Sequence, residues 1–599
     1  MNSKITDLQK SNYEKFPEVV VKGHSCSSGW ETIKDQIRSK VDRISANKAV
    51  VAIDCYPGVY TSEIINNLQG ISVHTTVINA EDAFLSKQEI NEMVFPFVTD
   101  DPVFGYMTSL TIQDFFDKDK LTGMQSKLET LSEGLVIVCG TGAALLAPAP
   151  DLLVYADMPR WEAQLRFRSN KISNLGVENK NDDFSYQYKR SFFVDWRVCD
   201  KHKVSIANRC DYFLDTTIPD NPKMVTGRAV AAALIQVTKQ PFRVVPFFDP
   251  GPWGGQWLKE VCDLDRSQQN FAWAFDCVPE ENSLRLKFDD GVFEMPSINL
   301  VFAHPKELLG MDVFETFGAE FPIRFDFLDT MGGGNLSLQV HPLLSYIREK
   351  FGMTYTQDES YYFMEAKEEA QVYLGLKDNI DADTMVEELY AAQVAGNDFA
   401  ADRFVQKWPI KKHDHILIPS GTVHCSCEDS VVLEISATPF IFTFKLWDWG
   451  RMGLDGKPRP ISLEHGKNAI QWNRRPEWVK DNLMDQVSLI GEGEGWREER
   501  TGLDETSFIE TRRHWFTGKV EHNTNGTVNV LNLIEGAEII VESPDSMFEP
   551  YVIHYAETFI VPATVGVYTI RPYGESVGQQ CATIKAFVRA EKLRNYQIN

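Results

Sequence analysis

The spacing of apolar residues changes along this chain, and each regime marks a different kind of structure. In the first third, short unbroken apolar runs alternate with helical stretches. Residues 49–53 and 135–140 are continuously apolar and 151–159 is largely so, with Asp151 and Asp157 bounding the run 152–156, as strands buried on both faces are. The first run leads into a Pro57-Gly58 turn and then a helix, and the third into a basic helix over 160–170. This alternation predicts a mostly parallel α/β sheet. A helix over 224–238 ends near Gln240-Pro241, and a Pro/Gly-rich segment follows. From Asn282 onward, short strands alternate with turns, which predicts antiparallel barrels or sandwiches. A helical insert at 383–393 interrupts them, and the tail over 511–589 is again strand-rich. The expected organisation is an N-terminal α/β domain over 1–240, an all-β domain with a helical insert over 241–500, and a second barrel over 501–599.

Composition fits this picture. With 599 residues, 43% hydrophobic and 24% charged, the chain is long enough for several domains with true cores. A net charge of −25 argues against non-specific binding to nucleic acid and to anionic membranes. The longest apolar stretch, residues 134–156, is broken by Pro148, Pro150 and Asp151 and is no membrane span. The N-terminus has no apolar signal core, and the ten cysteines show no disulfide rhythm. A cytoplasmic setting is expected. Cys425 and Cys427 beside His424 read as buried thiols rather than soft metal ligands.

Candidate chemistry centres on the segment NLSLQVHP, residues 335–342. On a strand, residues two apart share a face, so Gln339 and His341 point one way and Leu338 and Val340 the other. Alone, such a pair is as readily the polar face of an exposed strand. Glu359, before an aromatic strand, and His424, after the Pro419-Ser420-Gly421 turn, add a carboxylate and a second imidazole. Gln339, His341, Glu359 and His424 make a plausible zinc set with coordination positions left open. Strands of a small barrel can bring such ligands to one point, as in a cupin.

An ordered series of motifs then resembles the type I mannose-6-phosphate isomerases over roughly residues 240–599. The series is PWGG (252–255), FPIRFDFLDT (321–330), LSLQVHP (336–342), DESYYF (358–363), IPSGTVH (418–424), VLEISATPFIFTFKLWDWGR (432–451), GKPRP (456–460) and AETFIVPATVGVYTI (556–570). The resemblance implies jelly-roll cupin domains and one Zn²⁺ per chain. It implies interconversion of mannose 6-phosphate and fructose 6-phosphate through an enediol, and Arg451 as the catalytic arginine. Glu434 is the first candidate for the base, with orientation of a metal ligand as its alternative role. His413 and His415, alternating on one strand, could relay a proton. The chain departs from the family at two lysines, replaced here by Asp326 and Gln357. Arg324 and Lys445 are the expected substrate-binding cations in their stead, although Arg324, on the same strand face as Asp326, could instead pair with it; Arg348 is a further source of charge.

The N-terminal part resembles P-loop kinases of the uridine kinase and phosphoribulokinase type. No lysine stands between Gly58 and Thr61, so the domain is expected to be degenerate, with Arg166 and Arg168 as remaining candidates for an anion. Expected partners are a phosphosugar and, as an open option, a second copy in a homodimer. Two other readings remain: a non-catalytic sugar-binding regulatory protein, and a different cupin reaction on a sugar.

Overall fold

A computed structural model describes residues 11–44, 46–395, 398–437, 442–453, 456, 459–502 and 505–596. Of the motifs above, 438–441, Lys457 and Pro458 lie outside the described residues. The protein is multidomain and predominantly β with helices. It divides into two compact units: 18–236 with 283–303, and 1–17 with 237–282 and 304–599.

The first unit is built on a seven-stranded sheet. Its order is Ser27–Ser28, Lys223–Thr226, Tyr212–Asp215, Leu152–Asp157, Lys48–Cys55, Gly134–Gly140, Thr75–Asn79. The last five are mutually parallel. Lys48–Cys55 lies between neighbours on both sides, and all but its first residue are buried, which is why it reads as an unbroken apolar run. Residues 283–303 fall inside the range expected for the second domain but pack in this unit. The physical reason is pairing: Ser283–Phe288 runs parallel to Glu18–Val20, with Glu18 opposite Arg285, and antiparallel to Gly291–Pro296. Such long-range pairing leaves no local mark in sequence.

The second unit carries two pairs of facing antiparallel sheets, an arrangement consistent with cupin-like domains. In the first pair, one sheet has the order His415–Ile418, Asp358–Ala366, Ser430–Ala437, Arg324–Asp329, Trp273–Cys277, Phe247–Asp249. The other has the order Val405–Pro409, Gln371–Leu376, His424–Ser426, Leu338–Val340, Phe444–Trp447. The expected helical insert spans Ala382–Ala395. In the second pair, Phe516, Leu531, Leu533, Val541, Phe559 and Tyr568 belong to one buried core.

The Pro252–Gly255 motif has a steric cause. A Cβ on Gly254 would lie 2.3 Å from Asn270 Oδ1, and one on Gly255 would lie 2.0 Å from Asp329 Oδ1. Only glycine lets this segment close against the end of the Arg324–Asp329 strand. Asp329 in turn accepts from the backbone N–H groups of Leu258 and Met331, at 2.8 and 2.9 Å. Among the described residues, no helix is long and apolar enough to cross a membrane. All ten cysteines are buried and unbridged.

Candidate metal centre and cavity

Two sheets supply the expected ligands. Leu338–Val340 pairs with His424–Ser426, placing Gln339 directly opposite His424. His341 follows that strand immediately. Glu359 comes from the facing sheet, where its strand pairs with both Ser430–Ala437 and His415–Ile418. His341, Glu359 and His424 are buried and form the one His/Cys/Asp/Glu group among the described residues with metal-site geometry.

The hydrogen bonds behind these side chains decide how their ring nitrogens face. His341 Nδ1 lies 2.8 Å from the carbonyl of Phe442, and His424 Nδ1 lies 2.8 Å from the carbonyl of Thr422. A carbonyl only accepts, so both Nδ1 atoms carry the proton and both Nε2 atoms present lone pairs. Those lone pairs face the carboxylate of Glu359, at 3.1 Å from His341 to Oε2 and 3.0 Å from His424 to Oε1. Yet His341 Nε2 and Glu359 Oε1 are buried without a directed hydrogen bond. Buried acceptors converging without a proton between them are costly alone, and a cation at their centre would satisfy them. The residues therefore fit a divalent metal. Two imidazoles and a carboxylate suit zinc and other borderline divalent metals. Gln339 stands beside them, its Nε2 at 3.1 Å from His424 Nε2. A half-turn of its amide would present Oε1 as the further ligand. Cys425 and Cys427 are buried and outside this group.

Charge in the site follows burial and proximity. Burial alone would raise the Glu359 carboxyl, but positive charge on the two imidazoles, when they take up a second proton at Nε2 in place of a metal, outweighs it and holds it well below the usual range. Glu434 behaves oppositely. Burial pushes it well above the ordinary value, and the neighbouring Glu359 and Asp326 push it further. Asp326 lies directly across from Glu434 on the adjoining strand. Burial raises Asp326 to about 6, despite Arg324, whose Nη2 donates to its Oδ2 at 3.1 Å.

A cavity of about 250 Å³ opens beside this cluster. Gln339, Gln357, Glu434, Asp326 and Arg324 line it, as do Lys445 and Arg459, and Trp253 and Trp273 add an aromatic wall. Burial and the charge of Arg459 pull the Lys445 ammonium down to about 8. Arg451, the expected catalytic arginine, is not on the lining. Its guanidinium donates to the carbonyl of Asn335 and pairs with Asp448. Arg348 is elsewhere, bound to the carbonyls of Thr354 and Tyr596. The histidine pair considered for proton relay is also off the lining: His413 contacts Tyr362 and Glu535, and His415 packs against Tyr362.

Sequence reasoning passed over Arg459, although the GKPRP motif contained it. In the second barrel, the rings of His514 and His522 lie 4.4 Å apart. They stand on the paired-sheet strands Ile509–Phe516 and Val520–Asn523, so only the tertiary fold unites them.

In the first unit, a cavity of about 550 Å³ lies at the loop after Lys48–Cys55 and is lined in part by Lys87, Lys171 and Lys180. Arg166 does not face it as a free anion binder. It donates to the carbonyls of Gly58 and Thr216, at 2.9 and 2.8 Å, and stacks on Tyr60. Arg168 stacks on Phe184.

Residues 29–239 match a family described as a domain of unknown function (DUF8485). A mannose-6-phosphate isomerase of Streptococcus mutans is 24% identical over 244 residues, covering 40% of this chain and 71% of that protein. One of Bacillus subtilis is 25% identical over 242 residues, with the same shares. Among solved structures, the Bacillus subtilis mannose 6-phosphate isomerase matches 58% of this chain and 99% of its own, at 19% identity and a TM-score of 0.46. A Salmonella typhimurium phosphomannose isomerase mutant matches the same share at 11% identity and a TM-score of 0.44. The chain thus resembles mannose-6-phosphate isomerases over about 40% of its length. These relatives are enzymes of the isomerase class.

Proposed function

We propose that the protein is a zinc-dependent aldose–ketose isomerase, interconverting mannose 6-phosphate and fructose 6-phosphate or a closely related phosphosugar pair. The observation that carries this reading is the convergence of His341 Nε2, Glu359 and His424 Nε2, with Glu434 beside them on a cavity wall. Gln339, His341, Glu359 and His424 would hold one Zn²⁺ per chain. Bound there, zinc supplies Lewis acidity toward sugar oxygens and a positive charge that favours ionised neighbours.

Glu434 carries the proton step. As a carboxylate it takes the proton from one of the two sugar carbons, and as the acid it returns the proton to the other, which makes the enediol the intermediate. Its elevated affinity for a proton suits both halves. Arg451 meets the negative charge that develops on oxygen, because a guanidinium stays cationic and has donors to spare. To reach the cavity it would leave the carbonyl of Asn335 and the carboxylate of Asp448, while its backbone N–H stays on the carbonyl of Asp448. Arg324 and Lys445 bind substrate from the cavity wall.

Asp326 and Gln357 favour one alternative, a non-catalytic sugar-binding protein, since they remove two cations from the neighbourhood of an anionic substrate. For the first unit we propose a scaffold or sensing role rather than phosphoryl transfer. Its loop lacks the lysine, and Arg166 engages the loop carbonyl of Gly58. A coupled assay for the two hexose phosphates, run with metal-quantified protein, tests the isomerase reading. Turnover that stops with chelator supports it, and sugar binding without turnover supports the alternative.

A further inference from the structure

The charged groups on the cavity wall and directly behind it form two sets that act within themselves. Glu434 feels Glu359, Asp326 and Arg324, whereas Lys445 feels Arg459, Asp448 and Arg451. In the first set the cation is already neutralised, because Arg324 donates to Asp326 at 3.1 Å. In the second, one carboxylate pairs with two of the three cations. Asp448 pairs through Oδ1 with Arg451 and through Oδ2 with Arg459 Nη1, the latter at 2.7 Å.

Arg459 spends that one nitrogen on Asp448 and, at 3.4 Å, on Ser337 Oγ. Its Nε and Nη2 have no partner among the described residues, and neither has the Lys445 ammonium. Two part-buried cations side by side with open donors are an unfavourable arrangement in an empty pocket and a favourable one around a dianion. The local excess of positive charge is notable in a chain of net charge −25.

We propose that Lys445 and Arg459 form the seat for the substrate's phosphate group, that Arg459 sets the preference for phosphorylated over neutral sugars, and that Arg324 takes no part in holding the phosphate. The inference rests on the phosphosugar reading above. It places the two missing cations on the Phe444–Trp447 strand and the segment after Arg451, rather than on the strands that carry Asp326 and Gln357.

Calorimetry on the zinc-loaded full chain tests it, with fructose 6-phosphate and fructose as probes. The intact protein is expected to bind the phosphosugar about 100-fold or more tighter than fructose. Arg459→Met and Lys445→Met should each weaken fructose 6-phosphate by about tenfold or more, with zinc content and Tm preserved. Arg459→Lys should recover part of the loss, and Arg324→Met should weaken fructose and fructose 6-phosphate by the same factor, leaving the preference for the phosphosugar unchanged. In turnover, Arg459→Met should raise KM while kcat holds. Equal affinity for both sugars, or Arg459→Met binding within about twofold of the intact protein, overturns the seat. Binding that depends on Arg459 without any turnover sustains the seat and overturns only the isomerase reading. Turnover with a KM indifferent to Arg459→Met does the reverse.

Discussion

Gln357 donates from Nε2 to Oε2 of Glu359 at 2.9 Å, and its own Oε1 accepts from the backbone N–H of Phe442 at 3.0 Å. The amide is locked at both ends, and the lock fixes the carboxylate toward the two imidazoles. A residue that stands in place of a lysine in the resembling family here orients a proposed metal ligand. Gln357→Leu should therefore lower zinc affinity by about 10–100-fold without unfolding the protein. Competition titration against a zinc dye checks this, and unchanged affinity would remove the orienting role.

His341 contributes a lone pair on Nε2 because the carbonyl of Phe442 takes its Nδ1 proton. His341→Ala should abolish both stoichiometric zinc and turnover, as measured by metal analysis on gel-filtered protein. Retention of one zinc per chain would contradict the ligand set.

Removing the metal should also cost stability. Without a cation, buried acceptors at His341, Glu359 and His424 face one another uncompensated. Ligand linkage then predicts a Tm that rises with added zinc and falls with chelator, by about 2.7 kcal/mol of stability at a hundredfold excess over Kd. A Tm indifferent to zinc would show that the three side chains do not bind it.

Arg451 pairs with Asp448 outside the cavity lining, so its loss leaves the metal ligands in place. Arg451→Ala should keep zinc and lower kcat by about 10²–10³-fold. Steady-state kinetics with metal analysis decides, and full activity would remove its assigned role.

A pH-dependent stability is expected from Glu294 in the first unit. Burial, and then the charge of Asp215, raise its carboxyl to about 7, while Ser283 donates to it. A carboxyl with a raised folded pKa favours the fold while protonated. Its contribution is complete below the unfolded value near 4.5 and is lost as pH rises through about 7. Glu294→Gln, which stays neutral, should gain on the intact protein between pH 5 and 8 by on the order of 2–3 kcal/mol. Thermal melts at the two pH values check the sign, and parallel melts would contradict it.

Legibility in the sequence followed the range of each interaction. The alternation in 335–342 was enough to put Gln339 and His341 on one face, and that alternation together with the motif order pointed to the cluster that His341, Glu359 and His424 form. Continuous burial of Lys48–Cys55 was equally local. Pairings across hundreds of residues were not. Nothing near Ser283 announces Glu18 as a strand partner. Nothing near Arg459 announces that Asp448 and Ser337 hold it on the cavity. Arg166 had the look of an anion binder because charge is visible in sequence, while the loop carbonyls that consume it are not.

The central claim is metal-dependent isomerisation at the His341, Glu359 and His424 site. A coupled assay of mannose 6-phosphate and fructose 6-phosphate interconversion, on protein of known zinc content with and without chelator, tests it most directly. The account predicts turnover that scales with zinc up to one per chain and vanishes with chelator. Full zinc occupancy without turnover of either sugar would contradict it.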